Sequence, residues 1–228
     1  MHESEDNNST IERVIRTRQE AKSHYNKLSG WYDFLTGSSE RKTRDRGLEI
    51  LHVREGERSL VIGFGTGHGV LSLAQKVGDS GKVYGIDISE RMLDITQARV
   101  QGAGLGERVK LSCGDALKLP FYDEFFDVVF MSFTLELFDT PEIPIVLQEC
   151  RRVLKRGGRI CVVAMSKEGK DRFMIKLYEW IHRRLPGYVD CRPIHARDAI
   201  EQAGLRVVEC LNDVIWGLPV EIVKAENS

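Results

Sequence analysis

The sequence predicts an α/β protein built on a doubly wound, mostly parallel sheet. Three observations carry this expectation. From residue 59 onward, short β-branched runs alternate with longer amphipathic stretches, the pattern of repeated β–α units. The runs are apolar almost throughout, as strands covered on both faces must be. The first run leads into "LVIGFGTGHG", with Gly63, Gly65, Gly67 and Gly69 at alternate positions, which places a tight turn and a close backbone approach at a strand's carboxyl end.

Residues 11–29 read as a helix, with Ile11, Val14, Ile15, Tyr25 and Leu28 among polar residues, broken at "SGWYDFLTG". "SSERKTRDRGLEILHV" reads as a second helix capped by Ser38 or Ser39. Both are charged and precede the first strand. Residues 1–50 are therefore assigned to an N-terminal helical cap or lid, its first ten or so residues disordered, and residues 51–228 to the main domain.

Next come the strand "SLVIG", the helix "HGVLSLAQKVG" closed by Gly78, and the strand "KVYGID". "SERMLDITQARVQGAG" is a helix capped by Ser89, with Glu90 favourable in its first turn. "RVKLSC" and "FDVVFMS" are strands. "PEIPIVLQECRRVLKRGG" reads as a helix started by prolines and ended by two glycines. The strand "RICVVAMS", the helices "DRFMIKLYEWIHRRL" and "ARDAIEQAG", and the strands "LRVVECLNDVIW" and "LPVEIVKA", linked tightly at Gly217, complete the chain.

The 228 residues carry a formal net charge of −1, and 42% are hydrophobic. That suits one ordinary core and gives no basic face for nucleic acid. The five cysteines contain no C-x-x-C pair, which speaks against zinc and for reduced core thiols in a cytoplasmic protein. No signal peptide is visible, and no apolar run reaches the ~20 residues of a membrane span.

In such a sheet, ligands bind at the carboxyl ends of the strands where the chain order reverses. The glycine loop lacks the dinucleotide pattern G-x-G-x-x-G, because the third position falls on His68, Val70 or Ser72 in the three registers. No phosphate-loop lysine follows it either. What remains is G-x-G-x-G, which admits a nucleoside and an amino-acid tail without a pyrophosphate. Asp87 ends the next strand, where a carboxylate can take both ribose hydroxyls. Asp115, with Ala116 after it, can accept the exocyclic amine of an adenine held between Ile88 and Met92. The plainer readings are a helix cap for Asp87 and an Asx-turn for Asp115.

"LVIGFGTGHG", "YGIDIS", "GDALKLPF", "FDVVFMS" and "RVLKRGGRI" resemble, in order and spacing, the motifs of class I S-adenosylmethionine-dependent methyltransferases, in the ubiquinone/menaquinone C-methyltransferase-like (methyltransferase type 11) branch. The likeness covers about residues 20–165. It implies a Rossmann-like seven-stranded sheet with an antiparallel last strand. It also implies that Gly63, Gly65 and Gly67 cradle the methionine part of the cofactor, Asp87 the ribose, and Asp115 with Ala116 the adenine, with Ser132 on the sulfonium side. Tyr25 beside Asn26 and Tyr32 beside Asp33 lie in a segment resembling the one that covers the cofactor, where an aromatic face favours a sulfonium by ~0.5–2 kcal/mol. Alternatively, Trp31, Tyr32 and Phe34 only anchor that segment. The sequence departs from the family at Val61, where an acid usually helps to orient the methionine amino group.

The activity so implied is methyl transfer from S-adenosyl-L-methionine, leaving S-adenosyl-L-homocysteine, to a small-molecule acceptor, with lipophilic quinone-like or lipid precursors among the candidates. A general base is needed only if the acceptor loses a proton. Glu136 and His195 are the candidates; His68 and His182 read as solvent-facing or helix-start residues. The acceptor site is expected from the N-terminal helices, residues 132–139 and residues 170–195, the last of which can cover a hydrophobic substrate or touch a membrane surface. No metal, nucleic acid or transmembrane segment is expected; the protein is expected as a monomer or homodimer. A catalytically silent S-adenosylmethionine-binding protein and a nucleotide-dependent oxidoreductase are the alternatives.

Overall fold

The computed structural model describes residues 39–167, 192–215 and 217–228. The helices expected over 11–29 and 171–185 lie outside the described residues, as do Tyr25, Tyr32 and His182.

The described chain runs α1 (Ser39–Ile50), β1 (Arg58–Ile62), α2 (His68–Lys76), β2 (Lys82–Asp87), α3 (Glu90–Gly102), β3 (Val109–Cys113), β4 (Phe126–Ser132), α4 (Ile143–Val153), β5 (Leu154–Met165), α5 (Ala196–Gln202), β6 (Arg206–Ile215) and β7 (Leu218–Glu226). The seven strands form one sheet in the order β3-β2-β1-β4-β5-β7-β6. β1 pairs in parallel with both β2 and β4, and only β7 runs antiparallel to its neighbours. The order reverses at β1, so the carboxyl ends of β1, β2 and β4 border one crevice.

Strand alternation divides the core. Leu60, Ile62, Val129, Met131, Ile160 and Val162 face one side, with buried residues of α4 and α5. Val61, Val128, Phe130, Cys161 and Val163 face the other, with Leu48 and Leu51 beside α1's carboxyl end and residues of α2 and α3. The second half of α1 is thus packed against the sheet. Burying a side chain such as Phe130, 1% exposed, contributes about 2–3 kcal/mol.

Local signals act as expected at two helix ends. Ser89 Oγ accepts the Met92 N–H at 3.3 Å and caps α3. Gly78, just past α2, takes φ +65°, the left-handed conformation that ends a helix.

α4 differs from the expectation. It stops at Val153, and "LKRGG" is the irregular start of β5 rather than a helix end. Leu154 pairs with Phe126 and Arg159 with Val128, so extra residues bulge between two pairings. Asn227, from beyond β7, holds the bulge: its side-chain amide donates to the Leu154 carbonyl at 2.9 Å, and its backbone carbonyl accepts the Gly157 N–H at 2.6 Å.

Candidate functional site

The loop between β1 and α2 contains Gly63, Gly65 and Gly67 at φ +68°, +50° and +89°. Two of these glycines are required by their neighbours. A Cβ on Gly63 would overlap Thr134 Cγ2 and Oγ1 and lie 2.9 Å from Thr134 Cβ, and one on Gly67 would lie 2.6 Å from Thr96 Cγ2. Gly65 is different: its Cβ direction is open, with nothing within 4 Å. The loop is therefore packed at both ends and vacant in the middle.

Gly63→Ala should accordingly destabilise the fold by about 3 kcal/mol, from left-handed strain and overpacking together. For a chain of this size that lowers the melting temperature by roughly 6–12 °C. Gly63→Ala/Thr134→Ala should recover part of the loss, because the second change removes the overlapping atoms. Thermal melts of the three variants check this.

Asp87, the last residue of β2, reaches across to this loop. Its Oδ2 accepts the Gly65 N–H at 2.9 Å and its Oδ1 accepts the Ser89 N–H at 3.0 Å. Withdrawal from water raises its pKa above the ordinary carboxylate value, opposed by N–H donation from Ser89, Gly65 and Ile88. Ile88 is half-buried beside it, while Met92 is 5% exposed and packs in the core on the α1–α3 side.

After β3, Asp115 Oδ1 accepts the Leu117 N–H at 3.0 Å, which is an Asx-turn. Ala116 is buried in the other core cluster. Ser132 ends β4 opposite Val163, and its carbonyl accepts the Thr134 hydroxyl at 3.0 Å. Val61 is 3% exposed among apolar residues on the α1–α3 side, so β1 presents no charge there.

Glu136 lies in a short 3-10 turn, Leu135–Leu137, after β4 and is fully buried. Its Oε1 accepts the Met165 N–H at 3.1 Å, and its Oε2 has no hydrogen-bond partner among the described residues. Burial pushes its pKa up to about 8; nearby Glu40 adds to the rise, and the backbone N–H groups of Glu136 and Met165 and the charge of Arg192 oppose it. Arg192 donates to the backbone carbonyls of Glu136 at 3.3 Å and Phe138 at 2.6 Å, and to Thr140 Oγ1 at 2.9 Å. His195 occupies the N-cap of α5, and its Nδ1 is buried without a partner among the described residues. His68 opens α2, and its Nε2 lies 3.1 Å from Arg99.

Thr96, Arg99 and Thr134 are contacts that the sequence reading misses. Thr96 Oγ1 donates to the Gly65 carbonyl at 2.7 Å and Arg99 to the Thr66 carbonyl at 2.9 Å. The one signal for Thr96 and Arg99 is their i, i+3 spacing on the helix that follows Asp87, and none marks Thr134.

A family model described as a methyltransferase domain matches residues 60–158. The chain is similar to a demethylmenaquinone methyltransferase of Geobacillus kaustophilus, 37% identical over 167 residues, which cover 73% of this chain and 67% of that one. It is similar to the enzyme of the same name from Staphylococcus aureus (strain Newman), 35% identical over 162 residues, 71% of this chain and 64% of that one. With the Bacillus subtilis (strain 168) enzyme the match is 35% over 133 residues, 58% of this chain and 56% of that one. The chain thus spans between about half and two thirds of the length of these relatives.

Two solved structures share the fold. A SAM-dependent methyltransferase from Aquifex aeolicus superposes with a TM-score of 0.67 at 23% identity, over 88% of this chain and 98% of that one. The [4+2]-cyclase SpnF superposes with a TM-score of 0.74 at 19% identity, over 95% and 98%.

The residues present fit S-adenosylmethionine. The open middle of the glycine loop is a cradle that a Cβ would occupy, and the carboxylate fixed beside it suits a ribose. On the sequence similarity and this site, the chain belongs to the S-adenosylmethionine-dependent methyltransferase family.

Proposed function

We propose that this chain transfers a methyl group from S-adenosylmethionine to a small, quinone-like acceptor in the crevice outside β1, β2 and β4. The observation that carries the reading is the meeting of Asp87 with the Gly65 N–H at 2.9 Å beside the open side of that glycine. The quinone-like acceptor rests on the demethylmenaquinone methyltransferases that the chain resembles.

When bound, S-adenosylmethionine supplies a methyl carbon made electrophilic by a positively charged sulfur. This chain's residues bind, align and exclude water, and alignment of this kind is worth ~7–11 kcal/mol. Gly63, Gly65 and Gly67 would hold the amino-acid end, Asp87 the ribose, and Asp115 with Ala116, Ile88 and Met92 the adenine. Ser132 would border the sulfur. Tyr25 and Tyr32 belong to the segment that would close over the cofactor, part of the cap assigned to residues 1–50, in which the second half of α1 packs on the sheet.

An aromatic ring carbon that gains a methyl group must lose its proton. Glu136 would take it: the carboxylate is buried, one oxygen has no partner among the described residues, and its pKa of about 8 matches the demand on a base. His195 is the second candidate, on its partnerless Nδ1.

The test supplies isotopically labelled S-adenosylmethionine with a demethylated naphthoquinol in detergent. Label in the solvent-extracted quinone supports the reading. Label confined to water-soluble products from a cell extract would sink the lipophilic acceptor.

No helix among the described residues is long and apolar enough to cross a membrane. Contact with a membrane carrying such an acceptor is proposed as peripheral, and the protein is proposed to work as a monomer or homodimer in the cytoplasm.

A further inference from the structure

Thr96 and Arg99 lie three positions apart on α3 and therefore share one face of that helix. Thr96 is fully buried, and its hydroxyl donates outside its own helix, to the Gly65 carbonyl at 2.7 Å. Arg99 donates to the next carbonyl, that of Thr66, at 2.9 Å, and meets His68 Nε2 at 3.1 Å. Two consecutive carbonyls of the glycine loop are thus drawn toward α3.

In a trans peptide the N–H points opposite to the C=O. Holding the Gly65 and Thr66 carbonyls against α3 therefore fixes the direction of the Thr66 and Gly67 N–H groups. The second of these closes the turn on the Phe64 carbonyl at 2.9 Å. The two flanks of the loop also differ. A Cβ on Gly67 would strike Thr96, whereas the Cβ direction of Gly65 is open. Val61, buried in apolar surroundings, brings no charge to the loop from below.

We propose that Thr96 and Arg99 are positioning residues for the amino-acid tail of the methyl donor: they hold the negative ends of two loop peptides against α3, away from the tail's carboxylate. Were those carbonyls released into the crevice, their dipoles would oppose that carboxylate. The adenosine portion, gripped by Asp87, would not sense the change. This inference rests on the reading that the crevice takes S-adenosylmethionine.

Calorimetric titration of the full chain with two probes tests it. S-adenosylhomocysteine carries the amino-acid tail; methylthioadenosine keeps the adenosine and sulfur and lacks the tail. Thr96→Val preserves the volume against Gly67 and removes the hydroxyl. It should weaken S-adenosylhomocysteine about tenfold and methylthioadenosine less than about twofold, with Thr96→Ser restoring the first to within about twofold. Arg99→Met should show the same tail-selective loss and serves if Thr96→Val does not fold.

Equal weakening of both probes, or no change in either, with wild-type binding intact, would overturn the positioning role alone. Wild-type protein that bound neither probe would overturn the donor reading itself and the inference with it.

Discussion

Glu136→Gln is expected to slow methyl transfer at pH 8 by about a hundredfold or more, the usual loss of a general base, while S-adenosylhomocysteine binds as before. The amide keeps the side chain's shape and an oxygen for the Met165 N–H at 3.1 Å, so the structural role survives and the proton acceptor does not. The wild-type rate should climb with pH through about 8 and level off above it, as the carboxyl ionises, and the variant's residual rate should lack that rise.

The same shift sets a stability trend of opposite sense. At pH below the ordinary value of 4.5, the carboxyl is protonated in both the folded and the unfolded chain. Between 4.5 and about 8 the unfolded chain loses that proton while the folded one keeps it, so this group's contribution to stability falls as pH rises. Glu40 and Arg192 are the charged neighbours that tune it, one raising and one lowering the pKa. Glu136→Gln should remove the slope, and its melting temperature should gain on wild type from pH 5 to pH 8. Identical pH–rate profiles for the two proteins would remove Glu136 from the chemistry.

Asp87→Ala is the second large effect. The carboxylate already fixes the Gly65 and Ser89 N–H groups and would take both ribose hydroxyls. Hydrogen bonds to a charged group contribute ~1.5–3 kcal/mol each, and losing even two costs about 3 kcal/mol, a hundredfold or more in affinity. The variant should also loosen the glycine loop, since Gly65 loses its acceptor. Asp87→Asn should fall between, because one amide oxygen can still accept from a single N–H. Titration with S-adenosylhomocysteine measures both. The loss should extend to methylthioadenosine, in contrast to the tail-selective effect at Thr96.

Much of this was legible in the sequence because the signals are local. The glycine spacing, the strand before it and Asp87 at the end of the next strand give the crevice without knowledge of any distant contact. Ser89 and Gly78 mark helix ends by their own chemistry. The strand count follows from alternation of β and α units, the reversal at β1 is known only from the strand pairings, and the antiparallel β7 matches what the family resemblance implies.

The rest depends on contacts made across the fold. "LKRGG" has the composition of a helix end, yet Asn227, more than seventy positions from Leu154, holds it as a bulge at the start of β5. Thr96 is an ordinary mid-helix residue until α3 docks on the glycine loop. Glu136 stands beside a strand end in any reading, but its burial, and hence its raised pKa, comes from packing against β5, and the charge that opposes the rise, Arg192, is 56 positions away. Asp115 shows a mixed outcome: one oxygen serves the turn, and its proposed adenine contact stands on the resemblance.

The bare middle of the loop after β1, backed by Asp87, would seat S-adenosylmethionine. Equilibrium titration of the wild-type full chain with S-adenosylhomocysteine, run beside Asp87→Ala and beside NADH, tests it most directly. Saturable binding of one nucleoside per chain, loss of about a hundredfold in the variant, and no competition from NADH are expected. No binding to wild type, or equal affinity in the alanine variant, would contradict it.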